Sequence, residues 1–323
     1  MGPAAALASA LLWAATSTAL TALSARSSAV VLTGFRLAAA TAFVPVVVLA
    51  TGGFSQVTSV PPLVFATLVL SGAVGYGLGD TAYIRCLSLL GMPKTFPVSI
   101  AGYIGLTVLG GAVFLDEPVT LGLLAGASLI AAGITMVVLS SAERPLEGIP
   151  VSGPAPTALE AFGDLGPVVV LPRRRPKWAT RTVEGYGLLV GVSLAWAAAT
   201  LLLAHAGDDA GAVSLWAIRT PVGAAGLLLF ALVTRRGELR RLTADRQSLW
   251  VIALAGILGT AVGSLFYVFA VVEIGAARAA VLTATSPLMA LPLALIFLKE
   301  RFNLRVATGT IACVAGIALV AGS

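Results

Sequence analysis

The chain repeats its own pattern of apolar segments once, and the repeat unit holds an odd number of them. Trp13 recurs as Trp196, Arg36 as Arg219, Glu117 as Glu300, Gly126 as Gly309 and Gly133 as Gly316, all at one offset. Between these the offset slips by one residue, so that Gly72, Gly75, Gly79, Tyr83 and Gly91 match Gly256, Gly259, Gly263, Tyr267 and Gly275. One insertion and one deletion account for the slip. If each unit crosses a bilayer an odd number of times, the second copy must enter it upside down. Inverted copies facing each other are a common way to build alternating access.

The segments are apolar enough to cross. Hydrophobic residues make up 58% of the 323 and charged residues only 11%, with a mean hydropathy of +1.00, outside the range of an ordinary soluble globule. Runs long enough for a membrane helix lie near 3–24, 28–50, 61–90, 94–115 and 119–140, and again near 185–205, 211–234, 247–274, 278–298 and 303–322. The expected fold is an all-α integral membrane protein of ten transmembrane helices, arranged as two inverted five-helix repeats. Residues 1–140 form the first repeat and 183–323 the second. Residues 141–182, rich in proline and carrying Arg173, Arg174, Arg175 and Lys177, read as a flexible tether. That basic cluster is also a candidate contact for anionic lipids. The first apolar run is too long for a signal-peptide core and counts as a span.

The formal charge of +6 would suggest an anionic partner in a soluble protein. Here the basic residues sit in short loops between apolar runs and read as topology signals, with no nucleic-acid partner implied. Arg26, Lys94, the tether, Arg235, Arg236, Arg240, Arg241, Arg246, Lys299, Arg301 and Arg305 all fall on one side, whereas the opposite loops carry Asp116, Glu117, Asp208, Asp209 and Glu273 and a single arginine, Arg278. The bias puts the tether in the cytoplasm and both termini outside a cell membrane. Cys86 and Cys313 lie within apolar segments of different halves, as core- or lipid-facing fillers.

The motifs gain meaning in order. The first half has Leu12-Trp13, Phe35-Arg36, the run Gly75 to Tyr83, and Leu115-Asp116-Glu117 ahead of Gly126 and Gly133. The second has Ala195-Trp196, Ile218-Arg219, Gly259 to Tyr267, Ser286-Pro287, and Leu298-Lys299-Glu300 ahead of Gly309 and Gly316. This ordered set resembles the EamA-type proteins of the drug/metabolite transporter superfamily, in both halves and over nearly the whole chain outside the tether. The resemblance implies two inverted five-helix repeats about a central cavity and carriage of small metabolites, often amino acids or other organic solutes moved outward. It supplies no particular ligand. Ser286-Pro287 aligns with Tyr103-Ile104, so the two half-cavities are not equivalent. Members of the family more often have their termini inside, the reverse of the loop-charge reading.

Ionisable groups within apolar spans usually face a cavity or a partner. Arg36, Asp80, Arg85 and Arg219 are such groups. Arg36 and Asp80 fall at similar depths and are expected to pair, as a structural or gating pair, which argues against Asp80 shuttling protons. Span eight offers Ser264 where span three has Asp80, leaving Arg219 without an equivalent acid. A planar guanidinium suits a carboxylate or phosphate, so Arg219 is the candidate substrate anchor; the alternative is that both arginines snorkel or cap carbonyls. Tyr83, Tyr267, Trp196, Trp13 and Tyr103, with Ser264, are the candidate cavity wall, and Tyr76 is a further aromatic face. Trp216, near the end of its span, reads as an interface anchor. Glu117 and Glu300 read as helix N-terminal charges. Pro97, Pro287 and Pro292 read as kinks.

Nothing in the pattern points to catalysis. His205 is the sole histidine, Asp208-Asp209 lacks a second acidic cluster, and no nucleotide-binding loop occurs. No cofactor and no metal site are expected. The expected partners are a small-molecule substrate and membrane lipids. A monomer suffices, and a dimer is compatible. A non-transporting scaffold or a lipid or ligand receptor on the same fold is the alternative.

Overall fold

A computed structural model describes residues 1–24, 27–90, 92–142, 178–207, 209–286, 288–289 and 304–322. Residues 143–177, and with them most of the tether, lie outside the described residues, as do Pro287, Pro292, Lys299 and Glu300. The described chain is helical, without strands. Helices run over Gly2–Ser24, Ala29–Ala50, Pro62–Gly72, Asp80–Leu90, Met92–Phe114 and Leu121–Ala142 in the first half. Their counterparts are Trp178–Ala206, Ala212–Thr234, Arg246–Ala255, Ser264–Ile274, Ala276–Thr283 and Leu304–Ala321. The helix from Trp178 thus begins within the range read as tether. Among the described residues, five helices are long and apolar enough to cross a membrane: Ala29–Ala50, Pro62–Cys86, Val183–Ala206, Ala212–Thr234 and Arg246–Ile274. Shorter apolar helices pack with them, Gly2–Thr16, Val98–Phe114, Leu121–Val137 and Ala307–Ala321.

The third and eighth apolar runs are not uniform α-helices. Each widens into a π-helical stretch, Ala73–Gly79 and Gly256–Gly263, at repeat-related positions. A π turn takes an extra residue and is costly in an ordinary helix, so it is found mainly where function or packing holds it in place. Here glycine makes the packing possible. A Cβ on Gly72 would collide with the carbonyl oxygen of Arg219, and a Cβ on Gly256 with that of Arg36. Each π segment is therefore pressed against the arginine-bearing helix of the other half.

Reciprocal contact is the rule in this molecule. Along Ala29–Ala50 and Ala212–Thr234, Gly34 lies against Leu228, Leu37 against Gly223, and Gly53, just beyond the first of these helices, against Val213. One set of numbers rises as the other falls, so the two repeat-related helices pack antiparallel. Leu121–Ala142 and Leu304–Ala321 do the same. A Cβ on Gly126 would lie 2.7 Å from the carbonyl oxygen of Gly316, and one on Gly309 2.8 Å from that of Gly133. Lipid chains are as apolar as leucine, so helices associate in a bilayer through close backbone contact, which small residues allow.

The buried core runs across both halves, with Leu68, Leu123, Ile130 and Ile134 of the first meeting Leu203, Leu215 and Trp216 of the second. Trp216 is 0% exposed, which corrects its reading as an interface anchor: its indole packs inside the protein. Cys86 and Cys313 are buried and free, their thiols directed at the carbonyls of Gly185 and Ile130.

Glu117 does lie at a helix N-terminus, although not that of the helix that follows it. Its carboxylate accepts from the backbone amides of Ala276 (2.6 Å) and Ala277 (2.9 Å), capping Ala276–Thr283 in the other half. These donors have no partner within their own helix, and the negative charge suits the helix dipole. The preceding Gly275 has φ +83°, a backbone that other residues adopt at a cost, and Glu117 also occupies the space a Cβ would need.

Candidate functional site

One cavity opens between the halves, and its wall is made of repeat-matched positions. Trp13 and Trp196, Arg36 and Arg219, Tyr83 and Tyr267 line it together, as do the unlike matches Asp80 and Ser264, Tyr76 and Thr260, Tyr103 and Ser286. All nine residues singled out in the sequence for the wall or the ion pair are therefore on it. The like pairs frame the cavity, and the unlike pairs give its two sides different chemistry.

On one side, Arg36 Nη2 bonds Asp80 Oδ2, with both side chains largely buried. The second carboxylate oxygen is also taken, because Trp196 Nε1 donates to Asp80 Oδ1 at 3.0 Å. In the other half Ser264 replaces the acid, and Nε1 of the repeat mate Trp13 donates to the carbonyl of Gly259 at 2.8 Å. Both π segments are shaped around these indoles: a Cβ on Gly79 would lie 2.7 Å from Trp196, and one on Gly263 3.1 Å from Trp13.

On the other side, Ser264 stands where the acid would be. Its hydroxyl is engaged by Tyr76 Oη, and the Tyr76 ring lies under the guanidinium of Arg219, with Cζ 4.7 Å from the ring centroid. Arg219 is only 4% exposed, yet among the described residues its Nε and Nη1 have no hydrogen-bond partner. A π face offsets part of the cost of burying a cation but accepts none of its N–H groups in plane. Among the described residues, the site thus holds one arginine paired with a carboxylate and one without.

Aromatic rings and hydroxyls complete the wall. Trp196 packs against Tyr83 at 5.0 Å between centroids and edge-on against Tyr103 at 6.1 Å, while Trp13 packs against Tyr267 at 5.6 Å. The hydroxyls of Tyr103 and Tyr267 lie 2.6 Å apart, and Thr200 Oγ1 lies 2.6 Å from Tyr267 Oη and 3.3 Å from Tyr103 Oη. Each hydroxyl both donates and accepts, so the trio satisfies itself within the wall and ties helices of both halves together.

Thr200 and the Tyr76–Ser264 contact were not singled out from the sequence. Threonines are frequent in apolar spans, and nothing local marks one that faces inward. Arg85, the fourth in-span ionisable group, pairs with Glu184 at 3.1 Å, and both side chains are about half exposed, so it lies apart from the cavity. No group of histidine, cysteine or carboxylate side chains able to hold a metal ion occurs among the described residues.

A helical membrane protein with an inward-facing wall drawn from both of its halves is the class that these observations define. Residues 183–322 match the EamA-like transporter family, which is consistent with the ordered motifs of both halves. With the long apolar helices, the match supports a multi-pass membrane protein. A solved structure described only as "Crystal structure of protein" is similar over 98% of this chain and 94% of its own, with a TM-score of 0.70 and 17% identity. That likeness shows a shared fold. No curated protein matches the sequence.

Proposed function

We propose that the chain is a ten-span secondary transporter or facilitator that moves a small organic solute, an amino acid or a similar metabolite, outward across the cell membrane by alternating access. The observation that carries this reading is the cavity wall built from repeat-matched positions, together with repeat-related helices that pack antiparallel. Two copies related by inversion can exchange their conformations, and exchanging them moves the opening of a shared cavity from one side of the membrane to the other. Because the repeat supplies both walls, one chain suffices.

In this reading Arg219 anchors an acidic group of the solute, and Trp13, Trp196, Tyr83, Tyr103 and Tyr267 hold its body. The Arg36–Asp80 pair ties two spans of the first half and acts as a structural or gating contact. The loop charges orient the protein with residues 143–177 in the cytoplasm and both termini outside. An impermeant thiol reagent should then fail to label a cysteine placed in that segment in intact cells; efficient labelling overturns the orientation.

Transport itself is tested with purified protein in liposomes. Saturable flux of a solute that also raises the thermal stability of the protein is the expected result. Binding without flux would make the protein a receptor on a transporter fold.

A further inference from the structure

Resting on the transporter reading of the cavity and narrowing the solutes proposed for it, we infer that the solute is an organic monoanion, a carboxylate with an apolar or aromatic body, in preference to a zwitterionic amino acid. The argument is one of charge. Among the described residues of the wall, the formally charged side chains are Arg36, Asp80 and Arg219. Asp80 is paired with Arg36, and both of its oxygens are occupied, one by Arg36 and one by Trp196. What remains is the single positive charge of Arg219, 4% exposed, with Nε and Nη1 unpartnered.

The repeat shows how this charge came to be unpaired. At the position of Asp80 the second half has Ser264, and that hydroxyl is held by Tyr76, whose ring in turn lies against Arg219. The same frame that neutralises one arginine leaves the other free. Closing the cavity around a solute removes water, and a low-dielectric cavity tolerates a net charge poorly. A monoanion brings the sum to zero. A zwitterion leaves it at the value of the empty cavity and adds an ammonium group whose nearest carboxylate in the wall, Asp80, already has its charge balanced by Arg36. A phosphate dianion overshoots, because no second free cation lines the wall among the described residues. The fork of Arg219 fits a carboxylate through two parallel N–H bonds, and the indoles of Trp13 and Trp196 offer an apolar body flat surfaces.

Three compounds with one skeleton separate the possibilities: 3-phenylpropanoate, L-phenylalanine and 2-phenylethylamine carry one negative, zero and one positive net charge. Binding to the purified full chain is read by thermal shift and by the fluorescence of the wall tryptophans, and flux of the bound compound is followed in liposomes. The acid should bind about tenfold or more tighter than the amino acid, with the amine weakest. Arg219→Gln should erase the preference. Ser264→Asp should erase it too, by placing an acid beside Arg219 as Asp80 stands beside Arg36, and it keeps the arginine should its removal prevent folding. Equal or tighter binding of the amino acid or the amine overturns the inference and leaves the transporter reading intact if that compound crosses. Failure of all three to bind also overturns it. Binding of the acid without flux overturns the transporter reading and leaves the charge selection standing.

Discussion

Burying an arginine without a full set of partners costs stability, and the two arginines of this cavity differ in how that cost is met. Arg36 has Asp80, so removing either partner strands the other. Arg36→Ala and Asp80→Ala should each destabilise the protein more than the double substitution does, with a coupling of about 1–3 kcal/mol in denaturation measurements. Additive losses would show that the contact contributes nothing. Among the described residues, Arg219 has the Tyr76 ring and no carboxylate. Arg219→Gln should therefore leave the ligand-free protein as stable as before or more so, by up to about 2 kcal/mol, while removing the stabilisation that an acidic ligand provides. A loss of ligand-free stability would mean that the guanidinium supports the fold. The Arg36–Asp80 pairing was legible in the sequence, because ionised groups are rare in apolar spans and these two lie at similar depths. Trp216 was misread for the opposite reason: in a span apolar on every face, helical periodicity does not say which face turns inward.

At the scale of elements, the contacts between helices depend on glycines whose neighbours are backbone atoms. A Cβ on Gly133 would lie 2.5 Å from the carbonyl of Gly309, whereas one on Gly191 would meet nothing within 4 Å. Gly133→Val should cost about 1–3 kcal/mol, since main chain cannot turn aside as a side chain does. Gly191→Ala should be neutral or stabilising by up to about 1 kcal/mol, through helix propensity alone. Similar effects at the two sites, measured by thermal unfolding in detergent, would contradict the close crossing. The cap on Ala276–Thr283 gives a second case. Glu117→Ala exposes two amides and should cost about 1–2 kcal/mol. Outside the spans, Glu238 accepts from the Ser28 amide at 3.1 Å and ties the Arg236–Ala244 helix to the start of Ala29–Ala50. Hydrogen bonding from Ser28 foremost, and the Arg235 charge after it, hold the Glu238 carboxyl below its usual range. A lowered carboxyl contributes stability above its unfolded value, near pH 4, and loses it as the pH falls through the folded one. Glu238→Gln should thus flatten the acid limb of a stability profile. The glycine runs were visible in the sequence as packing surfaces. Their π-helical form was not, because an extra residue in a turn leaves no trace where every position is apolar.

For the molecule as a whole, the repeat carries most of what could be known in advance. Matching Trp13 with Trp196 and Arg36 with Arg219 already implied one cavity seen from two sides, and the substitution of Asp80 by Ser264 already implied its asymmetry. What the repeat could not reveal is which hydroxyls bridge the halves, since Thr200 meets Tyr103 and Tyr267 only once three separate helices have packed. That trio lies on the cavity wall, and its accessibility reports the central claim directly. With Cys86 and Cys313 replaced by alanine, a single cysteine at Thr200 should react with a small impermeant thiol reagent from either face of a sealed vesicle, and a bound solute should suppress reaction from both. Reaction from one face only, in the presence and absence of solute alike, would mean that the cavity opens to one side and that the two halves do not exchange roles.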